Sequence, residues 1–377
     1  VNGASQAKPP RSLAPPLGTF SFTMEAEIND STQFSKRKPA VEIGGLFIAL
    51  THFYFVVVIA WIALNLLCGD RWWWLFLLNS LSEYLFFLLP LPVAVALTTR
   101  RREIVVGLAG VVLVGVFLYG GLFLPSLDLD PVSGPQITVM TSNVLGYNSH
   151  PEGVISSIRA SDADVVALQE LNPEIAEAIR HELYDEYPYQ ELTPAVGVSG
   201  LGVISRRPLE STGVELEGHW VGEPQILEMR WKNTMITVVN FHAIPPGSSN
   251  PEHLRYSIQE RERQVGELMA FVESRREPLI LLGDLNVTSQ NEAYRMMAGS
   301  LQDAWVEAGW GLGHTFPGAL SPGSSRPIVA GIAMPKWLVR LDYVFCSDHW
   351  QVDSASFGQW DGVSDHRPVV ARMVLIR

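Results

Sequence analysis

A chain of 377 residues that is 47% hydrophobic and only 18% charged, with a mean hydropathy of +0.15, is more apolar than a soluble domain, where about 25% of residues are charged. That composition excludes wholesale disorder, the 31 Gly and 25 Pro show no collagen-like period, and two Cys exclude a disulfide framework or a Cys-rich zinc module. The formal charge of −12 argues against a generally basic nucleic-acid binder.

Residues 1–40 are rich in Pro, Ser and charge without apolar periodicity and read as a disordered cytoplasmic tail. The chain begins with Val, and Met24 is a candidate start. Within 41–125 lie three apolar runs, Gly44–Leu67, Trp72–Leu97 and Ile104–Leu124. Each is long enough to cross a hydrocarbon layer of about 30 Å as a helix, and none has the polar face that a buried helix of a soluble domain would carry. The second run holds Asn79 and Glu83, and Pro90 and Pro92 predict a kink in it. An intramembrane Glu83 either faces a polar pathway or is hydrogen-bonded to a neighbouring helix, and His52 in the first run poses the same choice.

Basic residues set the orientation. Lys36, Arg37 and Lys38 precede the first run, and Arg100, Arg101 and Arg102 join the second to the third. Both segments are therefore expected on the cytoplasmic side. The loop Gly69–Arg71 and everything after Leu124 then lie outside, which predicts a multi-pass protein of the plasma (inner) membrane with an extracytoplasmic carboxy-terminal domain. Trp72, Trp73 and Trp74 suit the outer interface. A linker is expected over 126–135, flanked by acidic rather than basic residues.

From about Gln136 the pattern becomes short strands alternating with amphipathic helices. Strands are predicted over Ile137–Ser142, Val165–Gln169, Gly202–Ser205, Ile226–Trp231, Met235–Phe241, Leu279–Leu282, Leu341–Phe345 and Pro368–Ile376, and helices over Pro151–Ala160, Pro173–Tyr184, Glu252–Ser274 and Gln290–Ala298. So many strands fit two packed sheets flanked by helices better than one covered parallel sheet. From Pro131 onward, 30 Asp plus Glu face 18 Lys plus Arg, so this domain carries the whole net charge and the anchor is neutral. Counterion release on a duplex, which needs Lys and Arg, offers it little.

Polar residues recur at the predicted strand ends, where loops present side chains from a rigid scaffold. Asn143 and Asn286 can each be read as turn caps. Glu170 can be an N-terminal charge for the helix at Pro173, and a lone His242 can be structural. Asp342 inside a strand is harder to dismiss, because a buried carboxylate must be paired. Asp365-His366 at a strand entry is also unusual.

Taken in order, Thr141-Ser142-Asn143-Val144, Leu168-Gln169-Glu170, Asn240-Phe241-His242, Gly283-Asp284-Leu285-Asn286, Arg340-Leu341-Asp342-Tyr343 and Ser364-Asp365-His366-Arg367-Pro368 resemble the motifs of the endonuclease/exonuclease/phosphatase superfamily. Gly202-Val203-Ile204-Ser205-Arg206 and His314-Thr315-Phe316-Pro317 add support. The resemblance covers 136–377 and implies an α/β fold: a four-layer α/β/β/α, DNase I-like sandwich, here preceded by a three-helix transmembrane anchor. It departs from the usual pattern at Ser142, where an aromatic is common, and at Leu341, where Ile is.

The resemblance implies a hydrolase of phosphate esters. Glu170, Asn143 and Asp365 are its implied ligands for Mg²⁺ or Mn²⁺, and His366 its general base, oriented by Asp342. Asp284 and Asn286 would orient the nucleophile, His242 would hydrogen-bond the phosphate, and Asn240 and Arg367 are candidate substrate contacts. The anchor plus exported domain is similar to a bacterial membrane-bound subgroup linked to teicoplanin resistance, which implies a lipid-linked phosphate ester or pyrophosphate as substrate and membrane lipids as surroundings. An exported nuclease is the alternative enzyme, with nucleic acid the lesser expectation, and a non-catalytic phospholipid sensor the alternative of another class. The Gly/Pro-rich loop between Trp310 and Arg340, with Ile328, Val329, Ile332, Met334, Trp337 and Leu338, is either a lipid-docking surface or packing beneath a long loop.

Overall fold

The computed structural model describes residues 39–124, 133–246, 250–318, 328–329 and 332–376. The expected tail over 1–40 and most of the linker over 126–135 lie outside the described residues, as does the loop segment 319–327. The chain divides into two units, Val1–Gly45 and Leu46–Arg377. Of the first, only the helical start from Pro39 is described; the anchor core and the catalytic fold both belong to the second.

The first and third apolar runs form the helices expected of them, α1 (Pro39–Cys68) and α4 (Arg102–Tyr119), the latter continued by a 3₁₀ turn over Gly120–Phe123. The second run departs from the single helix predicted over 72–97. It forms a short α2 (Trp73–Ser80), a 3₁₀ segment Ser82–Leu88, and α3 (Pro90–Thr99).

Asn79 explains the break. Fully buried, its Oδ1 accepts from Trp61 Nε1 and Asn65 Nδ2, both at 3.0 Å, and its Nδ2 donates to Gly69 O at 3.1 Å and Asp70 Oδ1 at 2.8 Å. A side chain so committed holds α2 against the loop, and Pro90 restarts the helix at its first turn, where the missing N–H costs nothing. Among the described residues, the segments long and apolar enough to cross a membrane are therefore Gly44–Cys68, Ser82–Thr99 and Arg102–Phe123. Tyr54, Phe55 and Val58 pack on Val95, Ala96, Ile104 and Val111 to form the anchor's core. Outward-facing Phe53, Leu113 and Phe117 stay mostly exposed, as hydrocarbon-facing residues would.

The catalytic part runs β1 (Gln136–Asn143), α5 (Pro151–Ser161), β2 (Val165–Gln169), α6 (Pro173–Glu182), β3 (Tyr189–Thr193), β4 (Leu201–Ser205), β5 (Leu209–Ser211), β6 (Gln225–Trp231), β7 (Thr234–His242), α7 (Pro251–Glu273), β8 (Leu279–Asp284), α8 (Glu292–Ala298), β9 (Gln302–Asp303), α9 (Ala304–Ala308), a small hairpin β10 (Ile328–Val329) and β11 (Ile332–Ala333), β12 (Asp342–Cys346), β13 (Trp350–Phe357) and β14 (Val369–Leu375). Two six-stranded mixed sheets result, in the orders β13-β14-β1-β2-β4-β3 and β5-β6-β7-β8-β12-β9. They form the expected four-layer sandwich.

Alternation decides which residues go where. In β2, Val165 and Ala167 enter the core between the sheets, with Val139, Leu227, Val238, Leu282 and Val344. Val166 and Leu168 turn outward beneath Ile155 and Ile158 of α5 and Ile175 and Ile179 of α6. With both faces covered, the strand reads as a continuous apolar run. On the other sheet, Val239, Phe241, Leu281 and Phe345 pack beneath α7 and α8.

The anchor is built into this packing. Phe76 of α2 joins the core under α7, with Trp73 against it, and Tyr119 and Leu122 enter the core between the sheets. Trp73 is thus turned inward, while Trp72 and Trp74 stack on each other at 5.6 Å and stay partly exposed. Asp70 Oδ1 accepts from Asn291 Nδ2 at 3.1 Å, and its Oδ2 caps α8 through the Glu292 N–H at 2.7 Å. Asn65 Oδ1 accepts from Arg295 at 2.7 Å, and Tyr84 donates to Leu338 O at 2.6 Å. Each buried amide or carboxylate here would cost about 1–3 kcal/mol if left unpaired, so the junction has one arrangement rather than the freedom of a linker.

Candidate active site

Strand register gathers the candidate residues. β7 and β8 pair in parallel with His242 beside Asp284, and β8 and β12 pair antiparallel with Asp284 beside Asp342. Three adjacent strands therefore end in three chemical groups in a row. From the facing sheet, parallel β1 and β2 end at Asn143 and Gln169, and Glu170 follows immediately.

Glu170 and Asn286 both leave their strands with left-handed backbones, φ 56° and 55°. Asn tolerates this conformation but Glu rarely adopts it, and such strain clusters at functional sites. The turn aims the Glu170 carboxylate across the gap, where Oε1 accepts from Asn143 Nδ2 at 3.1 Å and Oε2 from the Gly146 N–H at 2.9 Å.

Asp284 is the hub. Its Oδ2 accepts from the same Asn143 Nδ2 at 3.1 Å, and its Oδ1 from the Asn286 N–H at 2.9 Å. The Nε2 atoms of His242 and His366 each stand 3.6 Å from Asp284 Oδ2. Burial pushes the Asp284 carboxyl up to about 6; the His366 and His242 rings oppose the rise and Asp342 adds to it.

His366 Nδ1 meets Asp342 Oδ2 at 2.8 Å, so Nδ1 carries the hydrogen and Nε2 faces the site. Burial acts to lower the imidazolium's pKa, but the Asp342 and Asp284 carboxylates outweigh it and hold the ring well above the ordinary histidine value. Phe316 packs on the ring at 4.9 Å between centroids. The loop bearing His366 is tied down by Ser364, whose Oγ donates to Asn143 O at 2.7 Å and accepts from the His366 N–H at 3.1 Å.

The structure brings Asn143, Glu170, His242, Asp284, Asn286, Asp342 and His366 together. Asn143 offers its N–H donors to the two carboxylates, while its Oδ1 accepts from the Leu145 N–H at 3.1 Å; in this geometry it braces the carboxylates. His242 Nδ1 lies 3.0 Å from Val198 O and its Nε2 lies 3.1 Å from Asn286 Nδ2, whose orientation is fixed by a bond to Ala243 O at 3.0 Å. His242 thus lies between Val198 O and Asn286 and positions Asn286 beside Asp284.

Asn240 is fully buried and spent on four partners, donating to Leu168 O, Gly202 O and Gln225 Oε1 and accepting from Gln169 Nε2. It ties the sheets together beneath the site, out of substrate's reach. Arg367 donates Nε to His314 O at 2.7 Å and stacks on Phe357 and Trp337, and burial pushes it down to about 10. Asp365 is buried, with Oδ1 lacking a hydrogen-bond partner among the described residues.

Sequence reasoning assigned no role to Gln169, Asp361 or Thr315. Asp361 accepts from the Val363 and Ser364 N–H groups and from Asn148, shaping the turn before His366. Thr315 Oγ1 accepts from the Leu341 and Asp342 N–H groups at the start of β12. Short polar residues at turns are too common for their type alone to flag them.

The donor set suits a hard divalent cation. Asp284, Asp342 and His366 offer ligand atoms within 4.8 Å of one another, and Glu170 shares the Asn143 amide with Asp284. Among the described residues, Asp342 Oδ1 and Asp365 Oδ1 are buried without hydrogen-bond partners. Glu170, Asp284 and Asp342 crowd three carboxylates into one site, and the Nε of neighbouring Arg367 is committed to His314 O, so an anionic phosphate needs added positive charge to enter; oxygen ligands of this kind select Mg²⁺-like ions.

A family model described as the Endonuclease/Exonuclease/phosphatase family matches residues 140–366. Among solved structures, an endonuclease/exonuclease/phosphatase from Bacteroides vulgatus is similar at 17% identity, covering 64% of this chain and 99% of its own, with a TM-score of 0.49. A D. rerio TDP2 humanized by 14 mutations is similar at 16% identity over 63% of this chain and 99% of its own, TM-score 0.48. The human Nocturnin catalytic domain with bound sulfate is similar at 18% identity over 67% and 100%, TM-score 0.46. No curated protein matches the chain.

Proposed function

The chain belongs to the endonuclease/exonuclease/phosphatase family, hydrolases acting on phosphate ester bonds, and from that premise we propose that it is a membrane-anchored, divalent-metal-dependent phosphoesterase working on a lipid-linked phosphate ester or pyrophosphate at the outer face of the plasma membrane. The observation that carries the reading is the buried junction of Asn65, Asp70 and Asn79 with Asn291 and Arg295. An active site fixed directly to apolar spans works on what the membrane itself presents.

His366 is the base. With Nδ1–H held by Asp342, Nε2 takes a proton from a water as that oxygen bonds to phosphorus and the ester oxygen departs. Nε2 and Asp284 Oδ2, 3.6 Å apart, are too distant to bond each other and well spaced to accept from one water between them. Asn143 and Gly146 hold Glu170, and Asn286, held by His242, keeps Asp284 in place. A divalent cation held by Glu170 and Asp284, which share the Asn143 amide, would neutralise phosphate charge and stabilise the leaving oxygen.

The orientation rests on the anchor's polarity. Arg100–Arg102 join α3 to α4, and α4 at about 1.5 Å per residue carries the chain roughly 27 Å away before Tyr119 enters the catalytic core. The catalytic domain thus stands at the end remote from the basic loop, which supports an extracytoplasmic position.

Purified full-length protein, offered lipid pyrophosphate, phospholipid, sphingomyelin and DNA in parallel, should release phosphate from a lipid substrate, with activity lost in EDTA and in Glu170→Ala. Activity that survives both sinks the metal-dependent reading, and nucleotide release from DNA alone makes the protein a nuclease. A carboxy-terminal alkaline phosphatase fusion should be active; an inactive fusion beside a fluorescent-protein fusion that glows places the domain in the cytoplasm.

A further inference from the structure

A cleft of about 360 Å³ opens on the flank of the anchor, between the 3₁₀ segment Ser82–Leu88 and α4. Phe86, Phe87, Val112, Val116 and Phe123 wall it, together with Leu312 from the catalytic domain. Phe86 fits there because α4 has Gly115 opposite it, where a Cβ would come within 2.8 Å of the ring. Phe87, Val116 and Phe123 are 62%, 59% and 48% exposed, on segments apolar enough to lie at membrane depth.

One polar group interrupts the lining. Glu83 reaches out of the cleft to His314 Nε2, and both side chains are mostly buried. His314 O receives the Arg367 Nε bond, and Phe316, two residues on, packs against His366. A continuous set of contacts thus runs from a hydrocarbon-facing cleft to the catalytic histidine.

We infer that this cleft holds the hydrocarbon chain of the substrate lipid, with its phosphate-bearing head passing Glu83 and His314 to reach the Glu170, Asp284 and His366 centre. The inference rests on the phosphoesterase reading and adds where the chain lies. Its surroundings at that depth are acyl chains, its walls are apolar, and its volume falls in the range of small-molecule sites. A protein helix, about 10 Å across with its side chains, does not fit a cleft of this size. The arrangement places bond cleavage beside the anchor, so a lipid need not leave the bilayer to be hydrolysed.

The test uses the full chain, a long-chain and a short water-soluble isoprenyl pyrophosphate, and Val116→Trp, which fills the cleft. Val112→Phe is a second filling variant, and Val106→Trp is a control on an exposed face of α4 outside it. Both filling variants should lower kcat/KM for the long chain by about tenfold or more, the worth of roughly two buried methylenes, and leave the short substrate unchanged. Val106→Trp should alter neither.

Phosphatidic acid carrying a photoreactive acyl chain in phosphatidylcholine vesicles should label the segment from Val112 of α4 to Phe123 of the following 3₁₀ turn, and less in Val116→Trp. Equal loss on both substrates, no loss on either, label spread evenly over the anchor, or cross-linking to a second copy at these residues overturns the inference. Absence of hydrolysis of every lipid in the panel above, with chain labelling intact, instead refutes the phosphoesterase reading while supporting the cleft as a chain site.

Discussion

Asp342→Asn removes the charge facing His366 Nδ1 at 2.8 Å without changing the side chain's length or the pairing of Asp342 with Asp284. A hydrogen bond to a charged group contributes about 1.5–3 kcal/mol, which at 1.36 kcal/mol per unit corresponds to about one to two pH units. The sign follows from the cause: Asp342 is foremost among the charges that raise the His366 ring against the opposing effect of burial, so its loss favours the neutral ring. A base is active once its proton has gone, and the acidic limb of kcat/KM should therefore move down by about one to two units. The plateau should fall as well, by about 10⁴ where the Asn amide donates to Nδ1 and fixes the wrong tautomer. Both are read from pH–rate profiles on one phosphate ester. A plateau within about tenfold of the parent, or a limb that moves to higher pH, refutes the assigned roles of the pair.

Arg340→Met takes the countercharge from buried Asp303, whose two carboxylate oxygens receive Arg340 at 3.1 and 2.7 Å and keep only the neutral donors Tyr294 O–H and Trp305 N–H. Stability in detergent, read as a denaturant midpoint, should fall by about 3–5 kcal/mol, and Arg340→Met/Asp303→Asn, which removes the unpaired charge and keeps an acceptor for the Trp305 N–H, should recover part of it. Burial, with Asp70 and Glu292 adding to it, pushes the Glu262 carboxyl up to about 7. A folded-state value raised above the unfolded one contributes stability that is full below the unfolded value and lost as pH rises through about 7. The melting temperature of Glu262→Gln relative to the parent should accordingly rise across that window, and a constant difference argues against the burial. Mg²⁺ at about 100 times its Kd should stabilise the folded chain by about 2.7 kcal/mol, and Glu170→Ala should abolish the shift.

Chemistry-bearing residues were legible because each sits at the end of a buried strand, where a polar side chain after an apolar run stands out. Leu279–Leu282 followed by Asp284 and Asn286 is the plainest case. All eight expected strands form. The strands absent from the sequence reading include all four sheet edges: β3 and β13 on one sheet, β5 and β9 on the other. Edge strands are short, or polar on their exposed side, as in Trp350–Phe357, so they lack the apolar run that marks an interior strand.

Hydrogen-bond direction was not legible either. Asn143 and His242 are the residue types a phosphate site uses, and only geometry shows which atoms are already spent on Glu170, Val198 and Asn286. Of the Trp310–Arg340 loop, the described part divides between the two readings offered for it. Trp310 and Ile328 are exposed, while Trp337 packs against Arg367 and Trp360.

By itself, the sequence determined the separation of a charge-neutral apolar anchor from an acidic α/β domain, the interior strands, and the order of the motif residues, because composition and period-two alternation are local properties. Only the tertiary structure decided that the second apolar run breaks at Asn79, that Glu83 meets His314, and that Phe76, Tyr119 and Leu122 of the anchor enter the cores of the catalytic domain. Those outcomes depend on polar groups distant in sequence finding one another, and the cost of leaving them unpaired in a dry interior, invisible along the chain, selects the arrangement.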